Sequence, residues 1–411
     1  RFFTKGPDYM NVKTIKQREP VIDTGNAAGG FEYSDAYLYD NDARFVFNFI
    51  RSSMNYGCVA ANYVESTDAV RKDGLWHVSA KDTISGDTFI IKARSLINAC
   101  GPYVDQHNEL AEQKTEHQHL FSKGIHLIVD RLTKDERILA FFASDGRLFF
   151  VIPMGNKTVV GTTDTQVSDP NVQVTEEDRQ FVLDNINTLL DLPEPITRKD
   201  IIAERCGVRP LAQKGGDGIA DWVELSRKHA VETNFNDMHL SIFGGKTTDC
   251  INVGNEIAGL IQKMGIELPY EDFVWYGEDD DTVRDEFYHQ AKLMELDSYT
   301  VEGSSEPLTQ RLWRRYGGNA LELLEDIRQN PRQAHRLMKD AEYLRCEIEH
   351  TARHEMVTKL EDFLRRRSKI TQVLHDEKII NAPGLIEACE IFFGSEAEAK
   401  RQEYIDSTKN F

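Results

Sequence analysis

The sequence predicts a mixed α/β body followed by an all-helical C-terminal domain. Three observations carry that expectation. Short apolar runs, alternating or continuous, fill residues 58–164 and are punctuated by turns rich in glycine and aspartate. A strand-sized run at 239–243 meets two glycines and passes into a helical pattern at 251–265, the strand–turn–helix order of an α/β unit. Beyond about residue 300 only helical periodicity remains.

Residues 1–32 are polar and irregular. "DNDARFVFNFIRSSMNYG" (40–57) carries Val46, Phe49, Ile50 and Met54 at helical spacing, with Asp40 or Asn41 placed to cap it and Gly57 to end it. "CVAANYV" (58–64), "LWHVSA" (75–80) and "TFIIKA" (88–93) read as strands joined by turns at "RKDG" and "ISGD". "SLINAC" (95–100) is continuous and apolar, as in a sheet buried on both faces. From 125 to 164 the pattern is antiparallel, in "IHLIVD", "RILAFFAS", "RLFFVIPM" and "KTVVGTTD". Residues 176–191 read as a helix, with Thr175 as cap and Asp178 completing a variant of the capping box. "RCGVRPL" (205–211) reads as a kinked turn. "EDDD" (278–281) reads as a solvated linker, before the helical segments "PLTQRLWRRYG", "NALELLEDIRQ" and "DAEYLRCEIEHTARHEMVTKLEDFLRRRSK". The expected divisions are 1–105, 106–200, 201–270 and 285–411.

The chain has 411 residues, with 49 Lys and Arg against 68 Asp and Glu, a net charge of −19. That balance argues against general nucleic-acid binding, while a local basic cluster still suits a small anion. None of the six cysteines forms a C-x-x-C pair, which reads as reduced thiols in a cytosolic-type compartment. No apolar run approaches the ~18 residues that span a bilayer. The chain opens at Arg1 without a signal-peptide pattern, which reads as a piece or a processed product.

Several motifs compete for a chemical meaning. "LSIFGGKTTDC" (240–250) contains the tail of a phosphate-binding loop, but that loop needs a glycine where Leu240 stands, inside the strand. Its glycines then let the backbone approach a flat ligand or a second chain segment. The helix behind them presents N–H groups to anionic atoms. The alternative is a tight turn with a solvent-exposed lysine. "HTARHE" (350–355) places His350 and His354 one turn apart, but Thr358 stands where the H-E-x-x-H motif has its second histidine. No third ligand suggests itself, so a packed helix face and no metal are expected. His117 and His119 read as part of a polar loop, and "RRRSK" (365–369) as a solvated helix end. Thr162, Thr163 and Asp164 cluster at a strand end, and Arg209 is held extended by Pro210. Each reads equally as a binding group or as an ordinary turn or surface pair. No complete G-x-G-x-x-G occurs, the nearest being "GGDGIAD" (215–221).

In order along the chain these pieces resemble the FAD-dependent glycerol-3-phosphate dehydrogenases and their oxidase relatives. The matching segments are "GFEYSDAYLYDNDARFV", "GLWHVSAKDTISGDTFIIKARSLINACGPYVD", "SKGIHLIV", "DGRLFFVIP", "VVGTTDT", "CGVRPL", "IFGGKTT", "RLWRRYG" and "ARHEMVTKLEDFLRRRSK", from about residue 30 to 370. The resemblance implies an incomplete FAD-binding domain of the glutathione-reductase type, an antiparallel-sheet substrate cap and an all-α C-terminal domain. Family members begin with a strand, a glycine-rich turn and a helix for the ADP moiety of FAD, and carry a "HGGLRYL"-like segment. Neither occurs in this sequence. Arg1 is therefore expected to lie inside a longer family pattern, the rest cut away or supplied by another chain.

The resemblance also implies roles. Asn98, Ala99, Cys100 and Gly101 would lie near FAD, with Val64 against its adenine and Gly207 by the flavin. Gly244 and Gly245 would face the ring, with Lys246 and the Thr247 amide at its pyrimidine edge. Arg209 would sit in the substrate pocket, Asp164 matches the family's "GTTD", and Arg227 in "LSRKH" matches the "SRDY" arginine, a phosphate ligand. This chain has Lys-His after that arginine, and "GGKTTDCIN" where relatives have "GGKLTTYR". The implied reaction is oxidation of glycerol 3-phosphate to dihydroxyacetone phosphate, with electrons passing to a quinone. Dioxygen is the alternative acceptor, which the short 106–122 loop disfavours, and a non-catalytic piece unable to hold FAD alone is the other reading. A homodimer, no nucleic acid, and a cytoplasmic location at the inner face of the membrane complete what the resemblance implies.

Overall fold

The computed structural model describes residues 6–35, 38–40, 42–215, 228–270, 273 and 279–408. The opening segment is more regular than its polar sequence suggests. Strand β1 (Asp8–Met10) pairs with β2 (Gly30–Glu32), and α1 (Val12–Arg18) lies between them, capped by Asn11. Helix α2 (Asp42–Met54) follows and buries Arg44 and Phe47.

Three strands then form a meander: β3 (Val64–Lys72), β4 (Leu75–Asp82) and β5 (Thr88–Ala93). The strand expected at 58–64 begins only at Val64. Tyr63 has φ +56°, its hydroxyl donates to Asp362 Oδ1 (2.9 Å), and Asn62 Nδ2 donates to Met356 O (2.9 Å). Those contacts tie 62–63 to the helical domain instead of a neighbouring strand. A separate sheet has the order β13 (Ala230–Asn234), β14 (His239–Phe243), β6 (Leu96–Asn98), and β6 runs parallel to β14. Ile97 on β6 is 41% exposed, so this edge strand is not covered on both faces by the described residues.

Helix α3 (Val104–Leu110) leads into the largest sheet. Its central strand is β7 (His117–Asp130), joined by β8 (Leu139–Phe142), β9 (Leu148–Met154), β10 (Lys157–Gly161), β11 (Thr165–Val167) and β12 (Ala203–Lys214). The histidines expected in a polar loop lie on β7. The expected turn at 205–211 is the middle of a 12-residue strand, and β12 pairs with β7 along its whole length. Pro210 is tolerated because, among the described residues, β12 has only β7 as a ladder partner. Helix α4 (Glu176–Leu189), with the expected Thr175–Asp178 capping box, covers one face of the sheet. Ile125, Leu127 and Val129 meet Val182 and Ile186 there in a closed core.

Strands β13 (Ala230–Asn234) and β14 (His239–Phe243) form a hairpin that passes through the Gly244–Gly245 turn into α5 (Cys250–Lys263). The C-terminal domain comprises α6 (Asp281–Leu293), α7 (Leu308–Tyr316), α8 (Ala320–Gln329), α9 (Arg345–His354), a π-helical turn at Asp362–Arg367, and α10 (Ile370–Val373), α11 (Asp376–Ile380), α12 (Gly384–Phe393) and α13 (Ala397–Thr408). The acidic run expected as a linker caps α6, since Asp280 Oδ1 accepts from the Thr282 amide (2.8 Å). The long helix expected over 340–369 breaks at Met356, where φ is +50°. The basic run at its end is only partly solvated: Arg367 is buried with its guanidinium 3.8 Å from the Phe47 ring centroid.

Candidate active site

In a strand pair, residues directly opposite each other point to the same face, and the period is two. On β7 and β12 the opposed pairs are Ser122 with Arg209, Gly124 with Gly207, and His126 with Arg205. Those six residues therefore share the face opposite the α4 core. Two glycines at the centre leave a hollow. Nothing lies within 4 Å of where a Cβ would stand at Gly207, while a Cβ on Gly124 would run into the Arg209 guanidinium. Arg209 thus leans across Gly124.

The far rim comes from the chain between β10 and β11. Arg209 Nη2 donates to Thr162 Oγ1 (3.0 Å) and Nη1 to the Thr163 carbonyl (3.4 Å). Asp164 Oδ1 lies 3.9 Å from Nη1 and accepts a hydrogen bond from the buried Ser122 hydroxyl. Arg209 remains 30% exposed at the side chain, and Asp164 23%. His126 stands beside the hollow. Burial pushes its pKa down to about 4, and the Arg205 and Arg209 cations add to the effect, so the imidazole is neutral at physiological pH. His126 and Ser122 went unread in the sequence. The available signal was their i, i+2, i+4 spacing with Gly124 in "SKGIH", one face of a single strand.

Strands β6 and β14 run parallel, and the turns that follow them come alongside β12: Gly101–Tyr103 after β6, and Gly244, which meets Ala212, after β14. Asn98 is 1% exposed and holds that turn, with Nδ2 donating to Val104 O (2.9 Å) and Asn108 Oδ1 (2.8 Å). Ala99 and Cys100 are exposed, and Gly101, with φ +56°, has open space above it. Val64 lies at the start of β3, on the neighbouring meander.

The β14 turn is built on close approach. Gly244 has φ +62°, and a Cβ there would sit 3.2 Å from Lys228 O and 3.3 Å from Ala212 Cβ on β12. Of the two partners expected for these glycines, a chain segment is thus in contact. The Gly244 amide donates to His119 Nε2 (3.0 Å), which fixes the proton of that buried ring on Nδ1, 3.4 Å from Asp105 Oδ2. Gly245, with φ +93°, Lys246 and Thr247 are exposed. Beside them His229 bonds both Asp249 Oδ2 (2.6 Å) and Glu256 Oε2 (2.9 Å). Its pKa is raised, chiefly by the Glu256 hydrogen bond. Arg227 lies outside the described residues. The fold thus gathers Arg209, Asp164, Gly207 and the two glycine turns around one strand, while Asn98 faces inward.

Comparison with known proteins follows this division. Residues 5–248 match the profile of the family described as FAD dependent oxidoreductase, and residues 239–396 that of the C-terminal domain of alpha-glycerophosphate oxidase. An aerobic glycerol-3-phosphate dehydrogenase of Staphylococcus haemolyticus (strain JCSC1435) is 28% identical over 375 residues, covering 87% of this chain and 65% of that protein. The Bacillus subtilis (strain 168) protein of the same name is 31% identical over 269 residues, 64% and 47% respectively. A mitochondrial glycerol-3-phosphate dehydrogenase of Macaca fascicularis is 26% identical over 416 residues, 95% and 54%. The chain therefore spans from 47% to 65% of the length of these relatives. Among solved structures, glycerol-3-phosphate dehydrogenase from Bacillus halodurans complexed with FAD superimposes with a TM-score of 0.70 at 22% identity, covering 99% of this chain and 81% of that one. At that identity the likeness speaks for the fold.

Proposed function

Because the chain belongs to the FAD-dependent oxidoreductase family, we propose that it serves the FAD-dependent oxidation of sn-glycerol 3-phosphate to dihydroxyacetone phosphate, with electrons passed on to a quinone. One observation carries this reading: Arg209 and Gly207 lie on β12, the strand approached by the turns that follow the parallel strands β6 and β14, at Gly101 and Gly244. Ligands of α/β sheets bind outside the carboxyl ends of such strands. The residues fit a flat cofactor. Gly101 and Gly207 have open space where a side chain would stand, Ala99 and Cys100 are exposed beside them, and Gly244, Gly245, Thr247 and Val64 are assigned to the rest of the cofactor. Asn98 contributes by holding the Gly101 turn. Bound FAD would supply the acceptor for the hydride leaving C2.

The chain's own groups supply the rest. Arg209 presents a planar, permanently charged fork to a substrate oxygen, phosphate or developing alkoxide. Asp164 and Thr162 hold that fork in place. A proton must leave the C2 hydroxyl. His126 is neutral and beside the hollow, and a bound dianionic phosphate raises its proton affinity, so it is the acceptor we assign. Lys246 is exposed at the mouth of the turn and offers a cation to electron-rich ring atoms or substrate; Arg227 is assigned to the phosphate by its match to the family motif. Among the described residues no helix is long and apolar enough to cross a membrane.

The match of residues 239–396 to an oxidase domain favours a second acceptor, dioxygen. Purified protein mixed with FAD should retain a flavin absorbance band that glycerol 3-phosphate bleaches. Recovery of the band with a quinone analogue supports the dehydrogenase, and peroxide release in air supports the oxidase. A protein that stays colourless and inert sinks both, and leaves the non-catalytic reading.

A further inference from the structure

The pair His350 and His354 lacks a third ligand in the sequence, but the fold supplies one. Helix α8 brings Glu322 alongside α9, and one ligand atom from each of the three side chains lies within 4.8 Å of the others. His350 is 5% exposed, and its Nδ1 has no hydrogen-bond partner. A buried ring nitrogen without a partner is costly and calls for an occupant. The side chains of His354 and Glu322 likewise have no hydrogen-bond or ion-pair partner among the described residues. The imidazole rings lie 4.6 Å apart, and Tyr316 braces His350 edge-on at 5.2 Å. Both histidines line a cavity of about 780 Å³ between α2 and the helical domain. The nearby cation Arg44 is matched bidentately by Glu355, so it does not oppose a metal there.

We propose that Glu322, His350 and His354 bind a divalent transition-metal ion, with zinc the best match to the donor set. Two imidazoles and a carboxylate are the ligands of three-protein-ligand zinc sites, which keep a further position for water or an anion. Here that position is served by the cavity that the histidines line. The site is separate from the Arg209 hollow and stands whether or not the redox reading does.

The test is titration of the metal-stripped full chain with Zn²⁺ by calorimetry and with Co²⁺ by visible absorption. One ion per chain is expected, with a Co²⁺ spectrum of nitrogen and oxygen ligands. Glu322→Gln, at an exposed position, and His354→Ala, half-buried, should each fold normally and weaken binding by at least about tenfold. Unchanged affinity in both variants, a thiolate-to-cobalt charge-transfer band, or no saturable binding by the parent chain would overturn the site.

Discussion

Arg209 on the large sheet and Arg44 on α2 are one residue type placed in two solvents. Arg209 keeps 30% of its side chain in water and rests on a threonine hydroxyl, a carbonyl and a carboxylate 3.9 Å away. Arg44 keeps 4%, and both its terminal nitrogens meet Glu355 at 2.9 Å while also reaching the carbonyls of Arg367 and Arg315. The same matching extends around Glu347, which is fully buried between Arg311 (2.7 Å), Arg315 (2.9 Å) and Tyr316 (3.1 Å). Nearby, Asp40 is held well below the usual carboxylate range by Arg315, Arg314 and Lys369, which outweigh its burial. At the junction the guanidinium is enclosed and serves architecture. At the hollow it stays accessible to an anion from solution.

The comparison breaks most visibly at Arg44. Arg44→Ala leaves Glu355 buried and uncompensated, so urea unfolding should show a loss of about 3–5 kcal/mol, and Arg44→Met with Glu355→Leu should recover most of it. Arg209→Ala should behave oppositely: near-normal unfolding, with about 2–4 kcal/mol lost from kcat/KM in the FAD-loaded enzyme. Equal stability losses in the two arginine variants would erase the distinction. Gly207→Val sharpens it further, because the side chain fills the hollow on a strand that tolerates valine; kcat/KM should fall about 10²-fold without a fall in Tm. Gly244→Ala acts on both properties, since a Cβ at φ +62° would press on Lys228 O and Ala212, at a cost of about 1–3 kcal/mol.

The smallest effect concerns pH. His229 has its pKa raised above the unfolded value of 6.5, first by Glu256 and also by Asp249. Its stabilisation is therefore complete below pH 6.5 and fades as pH climbs through the raised value. His229→Gln should remove that part of the pH dependence, seen as unfolding midpoints that converge with the parent above the window and fall below it at lower pH.

Legibility in the sequence followed the range of the interactions. The α4 capping box, the 239–243 strand with its glycine turn, and the antiparallel strands at 125–164 depend on neighbours a few residues apart, and the pattern exposed them. At 205–211 Pro210 signals a turn locally, whereas β12 pairs with β7 alone among the described strands, which removes the penalty. The helical pattern over 340–369 hides the break at Met356, where Asn62 and Arg44 from the α/β body bond Met356 O and Glu355.

The sequence by itself determined the α/β body, the helical C-terminal domain, the glycine turns and the order of family motifs, since periodicity and turn chemistry are local properties. Tertiary structure alone decided which groups meet. Register sets His126 and Ser122 on the face of Arg209, and a one-residue slip would send all of them to the opposite side. Helix packing brings Glu322 to His350 and His354, and burial separates an arginine enclosed in the fold from one left partly open to solvent. Those outcomes depend on residues far apart in the chain, and only the closed fold makes them neighbours.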